Sequence, residues 1–233
     1  GVMTNAKELR AQGVQPLAGA TLKLRFKDIS GDLVFYAKTQ SGYAALLAAA
    51  NKINTVESAQ DHFALAEIID IIAARASEII VMTGGLNGLA YRGADKGYVT
   101  DILKTLVDAG FDTYAEVERN SGAGHPAEAH VIAAAQDAGI PLVATSRAAY
   151  ATPDMQDAHD TFLCIASKTY KAQADRPTSE AGLHIATPEE MAERFKDLPN
   201  ALSNTIEIAK KATFMVEPVQ PHTPAYPTDA GTT

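Results

Sequence analysis

Two groups of side chains have the chemical types that bind metals, but neither has a recognised metal-binding spacing. His125 and His130 are five residues apart, which turns a helix by about 140° net and puts them on different faces. The second group consists of Asp154, Asp157, His159 and Asp160. Because this group lies in an ordinary amphipathic helical pattern, it favours a solvated acidic face over a metal site. The histidines include no His-x-His or His-Glu-x-x-His arrangement.

A glycine-containing loop suggests a second kind of chemistry, the binding of a dinucleotide. The residues that match the pattern G-x-G-x-x-A are Gly122, Gly124 and Ala127. In such a site the glycines let the backbone approach a pyrophosphate, and Arg147 after the next strand could meet the 2′-phosphate of NADP. However, residues 118–121 separate the last apolar residue of the strand from the first glycine, whereas the fingerprint needs its turn directly after the strand. The spacing favours a polar loop before a helix that starts at Pro126, and an NADP enzyme stays open as an alternative.

The remaining motifs give no active site. The loop GGLNG could cradle a phosphate, but no Lys-Ser or Lys-Thr pair follows it. No nucleophile elbow of the form G-x-S-x-G occurs, and the single cysteine, Cys164, lies in the apolar run FLCIA and is predicted to be buried. Residue types and spacings alone therefore indicate no catalytic centre.

Composition limits the classes of protein that this chain can belong to. The chain has 233 residues, 46% of them hydrophobic, and 28 acidic against 20 basic side chains give a net charge of −8. This charge has the wrong sign for gripping the phosphates of DNA directly. No apolar run approaches the roughly 20 residues that span a bilayer, and the first residues do not predict a secretion leader. A folded, soluble protein without a membrane partner is predicted, and the lone cysteine fits the cytoplasm.

The chemistry-bearing residues must be positioned by a mixed α/β chain. The first part is predicted to form a helix at 6–12, a strand at 16–26, a loop at 27–32 and a strand at 33–39, with the two strands as a hairpin. Ser41 is predicted to cap a helix that ends at Asn51, and Ser58 to cap another that ends at Ala76.

From residue 78 onwards the predicted strands and helices alternate. Strands are predicted at 78–84, 113–118 and 140–146, and helices at 101–110, capped by Thr100, and at 126–138, ended by Gly139. This order predicts parallel strands in an α/β barrel or an open sheet. The later pattern is helical, at 153–167, after a capping box of Thr187 and Glu190, and at 198–212. Prolines at 218, 221, 224 and 227 then predict an extended linker.

Several segments resemble one family in the same order along the chain. They are GVQPLAGATLKL, LVFYAKTQSGYAALL, EIIVMTGG, IPLVATSRAAYATPDMQDAHDTFLCIA and TPEEMAERFKDLPNALSNTIEIAKKA. Together they resemble the polymerase and histidinol phosphatase (PHP) domain of bacterial DNA polymerase III alpha subunits, over residues 1–213. The resemblance implies a distorted α/β barrel that lacks its first strand. It also implies a barrel core at 1–150, a helical appendage at 151–213 and a proline-rich linker toward the polymerase core at 214–233.

The resemblance also places the metal ligands of the family on this sequence. The Glu of the family falls at Thr21, the His that opens the next strand at Asp32, and the His after the Arg at Asn120. The Asp and His of a later Asn-Asp-x-His stretch fall at Arg147 and Ala149. Because a cation repels a metal and alanine has no lone pair, a degenerate site without metal is expected.

The resemblance implies a role in DNA replication. The expected function is an inactive scaffold and docking domain whose partners are the rest of the alpha chain and a proofreading exonuclease. Magnesium-dependent nucleotidyl transfer and contact with DNA would belong to other parts of the parent polymerase. One alternative is a PHP-type phosphoesterase that uses Asp32, His125 and Asp157 as metal ligands, and the less favoured alternative is the NADP enzyme.

Overall fold

The computed structural model describes residues 2–55, 63–121 and 124–217 and shows a mixed α/β fold with one five-stranded sheet. The strands are β1 (Gly19–Phe26), β2 (Ile29–Ala37), β3 (Ile79–Met82), β4 (Asp112–Glu118) and β5 (Leu142–Thr145). The helices are α1 (Val2–Ala11), α2 (Gln40–Thr55), α3 (Leu65–Ile72), α4 (Leu89–Gly93), α5 (Val99–Asp108), α6 (Glu128–Asp137), α7 (Gln156–Ser167), α8 (Pro188–Arg194) and α9 (Pro199–Lys211). Short 3-10 helices lie at Ala73–Glu78, Gly85–Asn87, Ala94–Lys96 and Pro153–Met155.

The predicted hairpin is present, but its loop is shorter than predicted. Only Lys27, with φ of 53°, and Asp28 form the turn, because the pairing of β1 with β2 extends to Phe26 and Ile29. Ile29 is buried and draws the chain back into the sheet. Gly31 lies where a Cβ would come within 2.7 Å of the Leu89 backbone nitrogen, so this strand passes closely beneath α4.

The sheet is parallel only in its second half. Strands β3, β4 and β5 are parallel neighbours, as the alternation predicts, whereas β1, β2 and β3 pair antiparallel in that order. The strand order is β1-β2-β3-β4-β5, with β1 at one edge and β5 at the other. The fully buried β3 has no polar residue, as is typical of a strand covered on both faces.

The apolar core lies on both faces of the sheet. On one face, Leu33 and Phe35 of β2 pack with Ile68 of α3. On the other face, Tyr114 of β4 packs with Ile208 of α9. Ala201 of α9 packs with side chains on the opposite face of β5. Helix α9 therefore contacts both faces of this edge strand.

Helices α5 and α2 do not begin at their predicted capping residues. Helix α5 begins at Val99 after Tyr98, not after Thr100, because buried Val99 belongs to its apolar face. Helix α2 begins before Ser41, and it is Thr39 whose hydroxyl accepts a hydrogen bond from the Gly42 N–H at 3.0 Å.

The predicted capping box of α8 is confirmed, and the predicted end of α6 lies one residue from the observed end. The capping box of Thr187 and Glu190 is confirmed at the start of α8, with hydrogen bonds in both directions. Helix α6 ends at Asp137, and Gly139 follows with φ of 66°. Cys164 is buried, as predicted.

Some sequence predictions fall outside the described residues. They concern Ser58, Gly122 and the prolines from 218 onwards. The predicted division after residue 150 and the role of 151–213 as an appendage stay predictions. Within the described ranges, none of the helices is long and apolar enough to cross a membrane.

Candidate functional site

The carboxyl ends of the parallel strands meet beside the β1–β2 hairpin and form a pocket of about 200 Å³. This edge of a parallel sheet is where α/β proteins place their ligands. Tyr114, Glu116 and Glu118 alternate along β4 and therefore point to the same face, with the two carboxylates nearest the strand end. The pocket is lined by Thr21, Asp32, Val34, Gly84, Asn87, Glu116, Glu118, Thr145, Ser146 and Arg147.

Glu116 joins all three parallel strands. Its Oε2 accepts a hydrogen bond from the Gly84 N–H at 3.0 Å, and its Oε1 accepts one from the Thr145 hydroxyl at 2.7 Å. The backbone N–H of Glu116 in turn donates to the Thr83 hydroxyl at 2.8 Å. The residue is 7% exposed, so these protein donors replace water around the carboxylate.

Glu118 is hydrogen-bonded to the loop after β3 and, through Asn120, to the residues that follow β5. Its Oε2 accepts from the Leu86 N–H at 3.0 Å, and its Oε1 accepts from Asn120 Nδ2 at 2.8 Å. Asn120 Oδ1 accepts from the Arg147 N–H at 2.8 Å. Gly85 has φ of 57°, and a Cβ there would lie 2.2 Å from Glu118 Oε2, so glycine lets the loop approach the carboxylate.

Burial raises the pKa of the Glu116 carboxyl above its ordinary value of 4.5. The hydrogen bond from Thr145 lowers this pKa, and the nearby Glu118 charge raises it. Between the ordinary and the raised pKa the folded chain binds more protons than the unfolded chain. The contribution of Glu116 to stability is therefore fully present below pH 4.5 and is lost as the pH rises through the raised pKa.

We expect Glu116→Gln to gain stability relative to the parent chain as the pH rises. Glutamine can accept from Gly84 and donate to Thr145, but it never carries the buried charge. Urea unfolding of both chains from pH 4 to 8 measures the difference. Asp108→Asn, an exposed carboxylate at the end of α5, is the control. A difference between Glu116→Gln and the parent that does not change with pH would contradict the expectation.

The pocket brings together most of the positions that the family resemblance singled out. Thr21 and Asp32 line it from the hairpin, and Arg147 lines it from the exit of β5. Asn120 is hydrogen-bonded to Glu118, which lines the pocket. Ala149 is not among the lining residues, and its backbone N–H donates to the Leu183 carbonyl at 2.8 Å.

Arg147 gives the pocket a cation that faces outward. Its Nη2 lies 3.5 Å from Glu180 Oε2, and both side chains are largely exposed, at 44% and 67%. An exposed pair at this distance contributes little to stability. Arg147 is thus the one basic residue among the described residues that line the pocket, together with the acidic residues Asp32, Glu116 and Glu118.

The arrangement suits a structural role for the two buried glutamates. Each of their four oxygens already accepts a hydrogen bond from a protein donor. Within residues 2–55, 63–121 and 124–217, no group of three or more histidine, cysteine or acidic side chains is placed to hold a metal ion.

The alternative metal ligand set is not assembled. Asp32 lies in the pocket, whereas the His125 ring packs against Tyr91 at 5.6 Å between centroids. Asp157 is exposed and pairs with Lys171 at 2.6 Å. These three residues therefore do not form the phosphoesterase site that the alternative requires.

A carboxylate lies beside the glycine loop that would bind a dinucleotide. Gly122 lies outside the described residues, but a Cβ on Gly124 would come within 2.5 Å of Glu128 Oε2. The Ala127 N–H donates to His125 Nδ1 at 3.1 Å, so it is not free for a phosphate. A negative charge at the start of α6 opposes the binding of a pyrophosphate there.

The acidic group on α7 is less solvated than predicted. Asp160 forms two hydrogen bonds with Arg176, at 2.9 and 2.8 Å, and also accepts from the Ser179 N–H. These contacts hold the pKa of the Asp160 carboxyl at about 2. His159 Nδ1 lies 2.8 Å from the Ser179 hydroxyl. The prediction of a solvated face fails for Asp160 and His159, because both bind the loop that follows α7.

Sequence reasoning missed Glu116 and Glu118 as pocket residues. The signal was available in the strand TYAEVE, where two acids two residues apart must share one face of a buried strand. It also missed Arg119, which is 8% exposed and directly follows β4. Its guanidinium donates to Glu128 of α6 and to Asp197 in the loop between α8 and α9.

The chain is similar to DNA polymerase III alpha subunits, as the sequence resemblance predicted. It is 28% identical over 225 residues to the subunit of Rickettsia felis, covering 93% of this chain and 18% of that protein. It is 28% identical over 251 residues to the subunit of Caulobacter vibrioides, covering 99% of this chain and 21% of that protein.

A shorter alignment is closer in identity. The alpha subunit of Pseudomonas aeruginosa is 36% identical over 120 residues, which cover 51% of this chain and 10% of that protein. No family model matches the chain. The chain spans about a fifth of the length of the first two of these curated relatives.

Proposed function

We propose that this chain is a PHP-type domain of a DNA polymerase III alpha subunit and that it serves as a scaffold and docking domain without metal chemistry of its own. The similarity to alpha subunits over nearly the whole chain supports the first part. In this proposal the five-stranded sheet is part of a distorted PHP barrel. DNA synthesis, with its magnesium and its contacts to DNA, belongs to other parts of the parent protein in the cytoplasm.

The observation that carries the second part is the composition of the strand-end pocket. Thr21, Asp32 and Arg147 stand there at positions where the family has a Glu, a His and an Asp. A hydroxyl and a guanidinium replace two anionic ligands, and the cation opposes the approach of a metal. Glu116 and Glu118 supply acidic oxygens, but those oxygens are engaged by loop amides and by Thr145 and Asn120.

A zinc and manganese titration tests the loss of metal chemistry. We expect the parent chain to bind neither metal stoichiometrically. A variant that restores three of the family ligands, Thr21→Glu with Asn120→His and Arg147→Asp, should bind zinc at least 100-fold more tightly than the parent, because it replaces a hydroxyl, an amide and a cation with two carboxylates and an imidazole. The matched control is Thr100→Glu with Lys104→Asp, which makes the same change of three charge units on the exposed side of α5.

Stoichiometric zinc or manganese in the parent chain would contradict the proposal, above all if phosphoester hydrolysis accompanied it and Asp32 were required. That result would favour the phosphoesterase alternative. A flat titration of NADPH fluorescence would exclude the oxidoreductase alternative.

The docking role requires a partner, and we propose the proofreading exonuclease subunit. Calorimetric titration of this chain with the purified exonuclease should give one-to-one binding that Arg147→Asp leaves intact if docking uses a surface away from the pocket. Absence of binding, with the fold of both proteins verified, would remove the docking role and leave only the scaffold.

A further inference from the structure

Helix α7 and the residue before it carry an apolar stripe that faces solvent. Met155, Phe162 and Ile165 are 42%, 68% and 68% exposed, and Ala158 between them is exposed as well. Met155 ends the 3-10 helix that leads directly into α7. The four residues are spaced by three, four and three positions, which is the a/d spacing of a coiled-coil seam. Large apolar side chains exposed in such a stripe mark an interaction surface for another helix.

The opposite side of α7 packs on its own chain. Cys164 is buried there. Asp160 forms an ion pair with Arg176 at 2.8 Å, which holds the loop after α7 against this side. Phe162 is two positions from Cys164 and from Asp160, and two positions turn a helix by about 200°, so its side chain points away from that loop. The stripe is therefore not the side by which α7 joins the rest of the domain.

One charged residue stands at each end of the stripe. Asp154 precedes it and Lys168 follows it. They are two heptads apart, so they lie on the same flank of the seam. Across the described ranges, neither side chain has an ion pair with another residue. This flank is therefore acidic at its start and basic at its end.

We propose that α7 pairs with α7 of a second copy of this chain, antiparallel about a two-fold axis. In this arrangement Phe162 of each copy packs on Ala158 of the other, and Met155 of each packs on Ile165 of the other. The largest side chain of the seam then faces the smallest one, so the two surfaces are complementary in shape. This proposal does not depend on the proposed polymerase function.

The charges favour this direction of pairing. The antiparallel register places Asp154 of one copy beside Lys168 of the other, and symmetry makes this contact twice. A parallel pair would instead bring together ends of like charge. The net charge of −8 on each chain opposes association, but 0.15 M salt screens exposed charges more than about 8 Å apart and acts less on charges at the contact. Because one helix of 12 residues presents a small contact area, we expect a weak dimer.

Sedimentation equilibrium of the whole chain tests the pairing. We expect a monomer–dimer equilibrium with a Kd on the order of 100 μM in 0.15 M salt. Ile165→Ser should weaken it about tenfold or more, whereas Ile206→Ser, the same change at an exposed site on α9, should not. A chain that stays monomeric up to about 500 μM, or equal effects of the two serine variants, would overturn the proposal.

Charge variants test the direction of the pair. Lys168→Asp should weaken the dimer about fivefold or more, because two attractive contacts become repulsive. Lys104→Asp, the same charge change on α5, should not. Adding Asp154→Lys to Lys168→Asp should restore the dimer, because the contacts attract again with their signs exchanged. Failure to restore it, or equal weakening by the two aspartate variants, would speak against the antiparallel pair.

A zero-length cross-link gives a readout that general attraction between the chains would not produce. Carbodiimide joins a carboxylate to an amine only where the two touch, and it should join Asp154 of one copy to Lys168 of the other. Within one chain these residues are about 20 Å apart along α7, so the link cannot form there. A mixture of ¹⁵N-labelled and unlabelled chains should give linked peptides with the label in one half only. A dimer without this link would refute the proposed register.

Discussion

Arg119→Met should lower the free energy of unfolding by about 3–5 kcal/mol, the range for removing one partner of a buried ion pair. Arg119 is 8% exposed and Glu128 is 7% exposed. The guanidinium donates to Glu128, with a shortest distance of 2.5 Å, and to both oxygens of Asp197, at 2.6 and 2.9 Å. Methionine replaces the apolar stem of the side chain but leaves the Glu128 carboxylate buried without its cation.

The same guanidinium links elements that are far apart in sequence. It also donates to the Arg194 carbonyl at 2.6 Å and lies over the Phe195 ring at 5.0 Å. Hydrogen bonds to Asp197, and to a smaller extent to Glu128, raise the pKa of Arg119 above its ordinary value. The guanidinium therefore stays positively charged. Its loss would therefore release the end of α8 from the end of β4 as well.

Urea unfolding followed by circular dichroism measures this effect. Arg75→Met is the control, because Arg75 forms an exposed pair with Glu78 at 3.0 Å and its loss should cost less than about 1 kcal/mol. Adding Glu128→Leu to Arg119→Met should recover part of the loss, because the buried charge is then gone. Equal effects of Arg119→Met and Arg75→Met would mean that the network is no stronger than a surface pair.

Local sequence signals predicted the elements that depend on neighbouring residues. The hairpin follows from turn residues between two apolar runs, and the start of α8 follows from the capping box of Thr187 and Glu190. The alternation from β3 to β5 predicted their parallel pairing. The antiparallel pairing of β2 with β3 was not predictable, because residues 38–78 separate the two strands and no local signal sets their direction. Helix α4 is only five residues long, too short to give a helical period.

The pocket was only partly predictable for the same reason. The family resemblance singled out Thr21, Asp32 and Arg147, and the structure brings these three to one pocket. Whether they share it depends on the pairing of strands, which residue spacing does not contain. The missed ion pair of Arg119 with Asp197 crosses 78 positions of sequence, and a loop between α8 and α9 must fold back to form it.

Phe195→Ala should lower the free energy of unfolding by about 3–5 kcal/mol, the usual cost of truncating a buried phenylalanine. Phe195 is fully buried and packs with Val117 of β4, Ala144 of β5 and Ala201 of α9. Its removal leaves a cavity between the sheet and the C-terminal helices. Ile206→Ala, which is 56% exposed on α9, is the control and should change stability by less than about 0.5 kcal/mol.

The same variant tests the predicted division after residue 150. Cys164, the only cysteine of the chain, is buried on α7, so its reaction with a thiol reagent reports the opening of this region, while circular dichroism reports the whole chain. Because α9 packs on both faces of β5, we expect Phe195→Ala to shift the urea midpoints of both signals together. If Cys164 became reactive at urea concentrations where the circular dichroism was unchanged, residues 151–213 would unfold separately from the sheet. In that case the contacts of α9 would not couple the two parts.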